Sequence, residues 1–152
     1  MFPISHFNIT RTPFYYYDKT LLSNTLAKLI RLAGERNYHV HYAVKANANP
    51  EILKLIAASG IGADCVSGGE IKAALEAGFP AKKIVFAGVG KADWEIEYAL
   101  EKKIFCFNVE SAEELSVIEE LAKKNQELYD TKLERDILKK SLALFGPSKA
   151  KR

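Results

Sequence analysis

Short apolar segments alternate with amphipathic segments along most of the chain. Extended apolar stretches, flanked by Gly, Asn or Pro, are predicted at residues 39–45, 62–66, 83–88 and 104–109. Helical spacing of apolar positions is found between and after them, over residues 50–59, 68–77, 92–102 and 111–125. The pattern therefore predicts four β/α units in succession, preceded by a helix over residues 21–34.

This alternation predicts parallel strands joined by right-handed crossovers, and so either a β/α barrel or an open doubly wound sheet. Periodicity alone does not choose between them. A complete eight-stranded barrel takes about 250 residues, so a chain of 152 residues holds about half of one. The predicted fold class is α/β: a partial TIM-type β/α barrel of about four units, with an added C-terminal helix.

The composition changes from about Lys123 onward. The following segment is dense in charge, its apolar residues recur at roughly helical intervals, and Gly146 and Pro147 are predicted to end it. Because the segment shows no fifth strand pattern, we predict that it forms one amphipathic helix with a basic tail. The predicted organisation is a barrel part over residues 1–126 and this helix and tail over residues 127–152.

Net charge and cysteine content exclude several classes of protein. The formal charge of +3 is small, and its excess lies mostly in the final residues "GPSKAKR" rather than along one face, so nucleic acid is not an expected partner. Cys65 and Cys106 have neither metal-site spacing nor the pattern of a disulfide framework, which favours a reducing cytoplasm. No signal-peptide pattern and no membrane-spanning apolar stretch is found, so we expect neither export nor insertion.

The first predicted strand ends on a lysine, in "HVHYAVKANANP" over residues 39–50. Barrels and open parallel sheets gather their chemistry at the carboxyl ends of strands, and Lys45 lies at such an end. A lysine amine partly desolvated by apolar neighbours can attack a carbonyl, and an aldehyde cofactor is its natural partner. The alternative is that Lys45 extends into water from the strand end. Residue type alone leaves both open.

Four motifs together resemble the diaminopimelate decarboxylases in their order and spacing. They are "YAVKANAN", "GADCVSGGEIKAALEAGF", "KIVFAGVGKADWEIEYAL" and "FNVESAEELSVIEELA", and the resemblance spans roughly residues 12–122. The "VKAN" element alone also suits ornithine and arginine decarboxylases and alanine racemases, whereas "VSGGE" favours the diaminopimelate branch. The resemblance implies an enzyme of barrel type that uses pyridoxal 5'-phosphate, with Lys45 bound to the cofactor.

The resemblance also implies a reaction and its partners. Members of the family decarboxylate meso-diaminopimelate to lysine, in lysine biosynthesis, so a small amino-acid substrate is expected. A homo-oligomer is expected because a half barrel leaves unpaired strand edges that invite pairing. The family's phosphate-binding glycine run, ring-stacking histidine, acidic partner of the ring nitrogen and substrate-binding residues have no counterpart here. We therefore expect a truncated enzyme, inactive alone. The alternatives are a non-catalytic protein that binds pyridoxal phosphate, and a coiled-coil interaction segment.

Asp64 is the second candidate for cofactor binding. It ends a short predicted strand and matches an acidic position in "GADCVSGGE", where it can lie near Lys45 and tune its charge. A plain loop-capping role is the alternative. Gly68 and Gly69 are expected to serve a turn into the next helix, and Trp94 and Tyr98 are both assigned to the core because they share a helix face.

The segment "LYDTKLERDILKKSLALF" departs from the decarboxylase pattern. It resembles the helical C-terminus of a small regulatory protein encoded by insertion-sequence transposons, in which "ERDILKK" followed by an apolar segment recurs. This resemblance implies a decarboxylase gene interrupted by a mobile element. The alternative is an ordinary terminal helix of unrelated origin.

Overall fold

The computed structural model describes residues 4–145, apart from the side chains of residues 133, 138 and 140–145. Chain contacts divide the protein into two compact units, Met1–Tyr38 and His39–Arg152. The first unit contains helices α1 (Ile4–Phe7) and α2 (Lys19–Gly34). The helix predicted over residues 21–34 is confirmed, and it begins two residues earlier because the Asp18 carboxylate accepts a hydrogen bond of 2.9 Å from the Leu21 amide.

The second unit contains the predicted alternation of strands and helices. Its elements are β1 (His41–Ala43), α3 (Pro50–Ala58), β2 (Gly62–Cys65), α4 (Gly68–Glu76), β3 (Ile84–Phe86), α5 (Asp93–Lys102), β4 (Cys106–Phe107) and α6 (Ala112–Phe145). All four predicted β/α units are confirmed. The strands are shorter than predicted because apolar turn residues at their ends continue the strand-like composition without joining the hydrogen-bond ladder.

The four strands form one parallel sheet in the order β1-β2-β3-β4. Each strand lies beside its predecessor, as in a β/α barrel, whereas a doubly wound sheet reverses direction partway. The order of the strands thus favours a barrel over a doubly wound sheet, which periodicity alone does not. It also aligns the carboxyl ends of all four strands along one edge of the sheet.

One face of the sheet is buried beneath helices. Ala63, Cys65, Ile84 and Phe86 share this face and have no exposed surface, and α4 contacts both β2 and β3. The helices contribute further buried side chains to the same layer: Leu53, Ile56, Ile71 and Ile96. This apolar layer is the main core of the second unit, and it supplies most of the free energy that holds helices to sheet.

The opposite face carries a row of residues set by the strand register. Ala43 pairs with Asp64, Asp64 with Val85, and Val85 with Cys106. Three members of this row, Ala43, Asp64 and Cys106, are only partly buried. In a barrel this face lines the interior, and we call the row Ala43–Asp64–Val85–Cys106 the interior row.

Gly62 provides space for a large neighbour on the interior face. It pairs with His41, and a Cβ built at Gly62 would lie 2.6 Å from His41 Nε2 and 2.5 Å from the Lys83 carbonyl oxygen. Because one of these contacts is with backbone, any side chain at Gly62 would displace β2 from its neighbours. The imidazole of His41 therefore occupies the position that a side chain would take.

Helix α6 is continuous for 34 residues. The Ser111 hydroxyl accepts a hydrogen bond of 3.1 Å from the Glu114 amide and so caps the start of the helix. The helix passes residue 126, the predicted boundary of the tail, without interruption. The predicted helix end at Gly146 and Pro147 lies outside the described residues. The assignment of the tail to a separate segment stays a prediction.

A buried ion pair joins the loops at the carboxyl edge to α6. Lys91 has a side chain 1% exposed, and its Nζ lies 2.5 Å from Oε1 of Glu114, whose side chain is 14% exposed. The same ammonium donates to the carbonyl oxygens of Gly88 at 2.7 Å and Asn108 at 2.9 Å. We call this cluster the Lys91 clamp. It ties the segments after β3 and β4 to the first turn of α6.

The clamp changes the acidity of Glu114. Burial alone would raise the pKa of Glu114, but hydrogen bonds from Lys91 and from the Glu110 amide, together with the positive charge of Lys91, hold it below its ordinary value. A lowered folded-state pKa stabilises the fold above the ordinary pKa of 4.5. That stabilisation disappears as the pH falls through the folded-state value.

We expect Glu114→Gln to lower the free energy of unfolding at pH 7 by about 2 kcal/mol, the scale of a hydrogen bond to a charged group. The difference from the wild type should shrink as the pH falls below 4.5, the ordinary pKa of the carboxyl. Thermal unfolding followed by circular dichroism from pH 7 to pH 3 measures it. Glu119→Gln is the matched control, since Glu119 pairs with Lys123 at 2.7 Å on the exposed surface of the same helix. Equal effects of the two substitutions at every pH would contradict the prediction.

Candidate functional site

Lys45 lies at the carboxyl edge of the sheet, immediately beyond β1. It is the middle residue of a short 3-10 turn, Val44–Ala46, that follows the strand. Val44 is fully buried, and the hydroxyl of Tyr42 donates a hydrogen bond of 3.1 Å to the Asn47 carbonyl oxygen across the turn. The backbone that carries Lys45 is therefore held on both sides of it.

The side chain of Lys45 is exposed. The expected desolvation by apolar neighbours is not present among the described residues, because Ala43 and Asp64 on the nearby interior row are themselves only partly buried. Lys45 lies at a strand end, as the sequence predicts, but its side chain is more exposed to solvent than predicted. The side chain is accessible to a ligand, and the alternative that Lys45 extends into water stays open.

Asp64 lies on the strand beside Lys45 and faces the interior. Strand register pairs it with Ala43, two residues before the lysine. Its Oδ1 atom is buried and has no hydrogen-bond partner among the described residues. A buried carboxylate oxygen without a donor costs free energy, so this atom is suited to accept a hydrogen bond from a bound group. The loop-capping alternative stays open, because only Oδ1 is known to lack a partner among the described residues.

These two residues fit a cofactor that carries an aldehyde. Lys45 offers an accessible amine at the carboxyl edge, and Asp64 offers an unsatisfied acceptor on the adjacent strand. An amine for covalent attachment and an acidic group for orientation are what a pyridoxal cofactor requires at this end of a barrel. The assignment of both residues to cofactor binding nevertheless remains a prediction.

The glycines of the "VSGGE" motif serve packing and helix capping. The Ser67 hydroxyl accepts from the Glu70 amide at 3.2 Å, and the Glu70 carboxylate accepts from the Val66 amide at 2.8 Å. A Cβ built at Gly68 would lie 2.9 Å from the ring of Trp94, so a side chain there would need this exposed ring to shift. The hydrogen bonds of Ser67 and Glu70 support the predicted structural role of the motif.

The core assignment of Trp94 is wrong. Its side chain is 61% exposed, because only one side of the ring rests against Gly68. Tyr98, one turn later on α5, is partly buried. Spacing by four residues places the two on one helix face, but the neighbouring helix covers that face incompletely.

Cys65 has no features of a reactive thiol. It is fully buried on the helix-covered face, and burial, with smaller contributions from Glu70 and Asp64, raises its pKa to about 12. At neutral pH the sulfur stays protonated. Cys65 is thus a small buried hydrophobe, whereas Cys106 is only partly buried.

The Lys91 clamp was missed by sequence reasoning. Lys91 lies in "FAGVGKAD", where two glycines precede a lysine just before a helix. Gly88 and Gly90 adopt left-handed backbone angles, with φ of +93° and +75°, and so turn the chain sharply back toward the sheet. A lysine directly after such a turn, with an acid at the start of the next helix, is the signal that was available.

Two further classes of site are not found in residues 4–145. No group of three or more His, Cys, Asp or Glu side chains there could hold a metal ion. No helix in the same part of the chain is both long and apolar enough to cross a bilayer.

Comparison with known proteins agrees with the site geometry. Residues 23–143 match the family described as pyridoxal-dependent decarboxylase, pyridoxal binding domain. Diaminopimelate decarboxylase of Bacteroides thetaiotaomicron is 64% identical over 123 residues, which cover 80% of this chain and 32% of that protein.

Two solved structures show the same fold. The Helicobacter pylori diaminopimelate decarboxylase, complexed with L-lysine, superposes with a TM-score of 0.70 at 42% identity, over 81% of this chain and 31% of that chain. The M. jannaschii diaminopimelate decarboxylase gives a TM-score of 0.78 at 37% identity, over 82% of this chain and 30% of that chain. These likenesses confirm the predicted α/β fold and its partial barrel.

The chain spans about a third of the length of the relatives it matches. The matched range passes residue 126, while the transposon resemblance of the tail stays a prediction. Pyridoxal 5'-phosphate is the cofactor of the matched domain, as the sequence motifs imply. The range of the match, together with an amine at the carboxyl edge of a sequentially ordered parallel sheet, establishes that the chain belongs to the family of pyridoxal-dependent decarboxylases.

Proposed function

We propose that this chain is the cofactor-binding part of a diaminopimelate decarboxylase, with Lys45 as the residue that attaches pyridoxal 5'-phosphate. The observation that carries the proposal is the position of Lys45. Lys45 is exposed beyond the carboxyl end of β1, and Oδ1 of Asp64 on the adjacent strand is buried without a hydrogen-bond partner among the described residues. The 64% identity to a diaminopimelate decarboxylase supports this choice within the wider family.

Two residues of this chain have separate roles in holding the cofactor. Lys45 would supply the amine for a covalent bond to the aldehyde carbon, whose oxygen would leave as water, and Asp64 would accept a hydrogen bond that orients the bound group. When bound, pyridoxal phosphate serves as an electron sink for breaking the bond to the departing carboxylate. The fixed backbone of the turn Val44–Ala46 limits how far the amine can move from this position.

The reaction we propose is decarboxylation of meso-diaminopimelate to lysine, with a small amino acid as the substrate. The described site offers an amine and an acid but not the remaining groups that the motif resemblance implies for phosphate and substrate. Catalysis requires all of these to be positioned together. We therefore propose that the 152-residue chain by itself binds cofactor without detectable turnover.

The proposed location is the cytoplasm. Cys65 and Cys106 are both free thiols. Unpaired cysteines are typical of a reducing compartment, where thiols are kept from forming disulfides.

Incubation with pyridoxal phosphate followed by borohydride reduction should label Lys45 selectively. We expect a preference of roughly tenfold over surface lysines, equivalent to about 1.4 kcal/mol, because the adjacent acid orients the aldehyde. Peptide mass spectrometry at limiting cofactor measures the distribution of label. Lys45→Met should abolish the preferred adduct, whereas Lys54→Met, which removes an exposed lysine of α3, should leave it intact. Label spread evenly over exposed lysines would contradict the proposal.

Asp64→Asn should weaken cofactor binding by roughly tenfold, the scale of one hydrogen bond to a charged acceptor. The same substitution should not lower the melting temperature of the cofactor-free chain, since Oδ1 has no donor to lose among the described residues. Fluorescence titration and thermal unfolding measure the two effects. Asp136→Asn, an exposed acid on α6, is the control for both. Unchanged affinity in Asp64→Asn would remove Asp64 from the site.

The chain should self-associate, because β1 and β4 are the two edges of the sheet. Edge strands present backbone N–H and C=O groups that pair readily with another strand. Sedimentation over a range of concentrations should show a species larger than the monomer. Phe105→Lys should weaken association, because Phe105 is 61% exposed just before β4 and a charge there opposes edge pairing. A monomer at every concentration would show that these edges are protected.

A further inference from the structure

Lys91 has properties that cofactor attachment at Lys45 leaves unexplained. Its side chain is 1% exposed, and its ammonium makes three hydrogen bonds, to Gly88, Asn108 and Glu114. An ammonium has three N–H donors, so each of them has an acceptor. Burial of a lysine is costly unless its charge is paired and its donors are satisfied. This arrangement lies at the same edge of the sheet as Lys45.

The acceptors of Lys91 lie at the ends of neighbouring strands. Gly88 follows β3 by two residues, and Asn108 directly follows β4. The Asn108 amide also donates a hydrogen bond of 2.9 Å to the Phe86 carbonyl oxygen, which continues the ladder between β3 and β4. Beyond this bond, the ammonium of Lys91 links the two segments. The ammonium further lies 5.4 Å from the centre of the Phe86 ring. Lys91 therefore fixes the spacing of two strand ends where no further ladder bond holds them.

Contacts continue from the clamp toward β2. The Ala87 amide donates to the Cys65 carbonyl oxygen at 2.8 Å, and a Cβ built at Gly88 would lie 3.4 Å from Cβ of Val66. Cys65 directly follows Asp64, and strand register pairs Asp64 with Ala43 of β1, two residues before Lys45. These links are a backbone hydrogen bond, the proximity of Gly88 to Val66, and a register pair. The position of the segment after β3 thus sets the position of the residues beside the interior row.

A second acid extends this edge on the other side of β3. Glu95 accepts from the Gly68 amide at 2.7 Å with one carboxylate oxygen and from the Ala92 amide at 3.0 Å with the other. It therefore joins the first turn of α4 to the start of α5. Together, Glu95 and the clamp attach the loops after β2, β3 and β4 to one another.

We propose that Lys91 is a positioning residue for the pyridoxal phosphate site, an inference that rests on the proposed function. Its ammonium holds the loops after β3 and β4 so that Asp64 and Lys45 meet the cofactor in a fixed geometry. Lys91 itself does not touch the cofactor. An apolar side chain of equal length would fill the space but leave two carbonyl oxygens and a carboxylate without their donor, and the loops would shift to find water.

The test compares variants of the full chain in their reaction with pyridoxal phosphate. Lys91→Met removes the ammonium at nearly constant volume, and Glu114→Gln removes the charge of its partner. We expect a rate of reductive trapping at Lys45 lowered roughly tenfold to a hundredfold in Lys91→Met, since small misplacements of reacting groups have effects of this size. The induced circular dichroism of the bound cofactor, which reports its orientation, should weaken in both variants.

Two controls separate positioning from general loss of stability. Lys123→Met removes an exposed lysine paired with Glu119 at 2.7 Å on α6, and should match the wild type. Ile71→Ala destabilises the core, because Ile71 is fully buried on α4. Measured at a temperature where every variant is folded, Ile71→Ala should keep the wild-type dichroism and trapping rate. If Lys91→Met does not fold, Glu114→Gln is compared with the two controls instead.

The outcomes distinguish this inference from the proposed function. Reduced trapping and dichroism in the clamp variants, with both controls near the wild type, support positioning by Lys91. Clamp variants that behave like Ile71→Ala overturn it and leave cofactor attachment at Lys45 intact. A wild-type chain that forms no selective adduct at Lys45 overturns the proposed function, and with it the role of Lys91.

Discussion

The parallel ladder of four strands in chain order is the constraint on which the rest of the structure depends. Because each strand pairs with its predecessor, the carboxyl ends of β1 to β4 lie along one edge. Lys45, Asp64, Lys91 and Asn108 come from four different β/α units and reach the same edge for this reason alone. The helices maintain the ladder from one side, through an apolar layer centred on Phe86 and Ile84. Chemistry is thus left to the strand ends and to the uncovered face.

The two faces of the sheet separate the packed core from the candidate site. Residues with no exposed surface lie on the helix side, where Ala63 and Cys65 alternate along β2 with partly buried Asp64. The strand period of two separates a packed core from a polar residue one position away. A single strand of four residues therefore contributes both to folding and to the candidate site. A shift of register by one residue would bury the carboxylate and expose the core.

The sequence predicts the order and type of the elements well because each signal is local. Helix starts at Asp18, Ser67 and Ser111 follow from their side-chain oxygens, and strands follow from their apolar runs. Burial is predicted less well, because it depends on what covers a residue. Trp94 has the spacing of a core residue, yet no second layer encloses it. The exposure of Lys45 has the same cause.

In the candidate site, too, residues within local motifs are easier to predict than contacts between residues far apart in the sequence. Lys45 and Asp64 are predicted as site residues because family motifs surround them, and their roles stay a prediction. The Lys91 clamp joins residues 23 positions apart through a carboxylate and two carbonyl oxygens, and backbone acceptors carry no sequence signature. The barrel topology, too, became clear only from the order of the strands, since the same periodicity suits a doubly wound sheet.

The two cysteines of the chain differ in how they would respond to oxidants. Peroxides and disulfides react with the thiolate rather than the thiol. With a pKa of about 12 and no exposed surface, Cys65 offers almost no thiolate at neutral pH. Oxidative stress therefore spares the sulfur beside Asp64, and the centre of the sheet keeps its packing when more accessible thiols are modified.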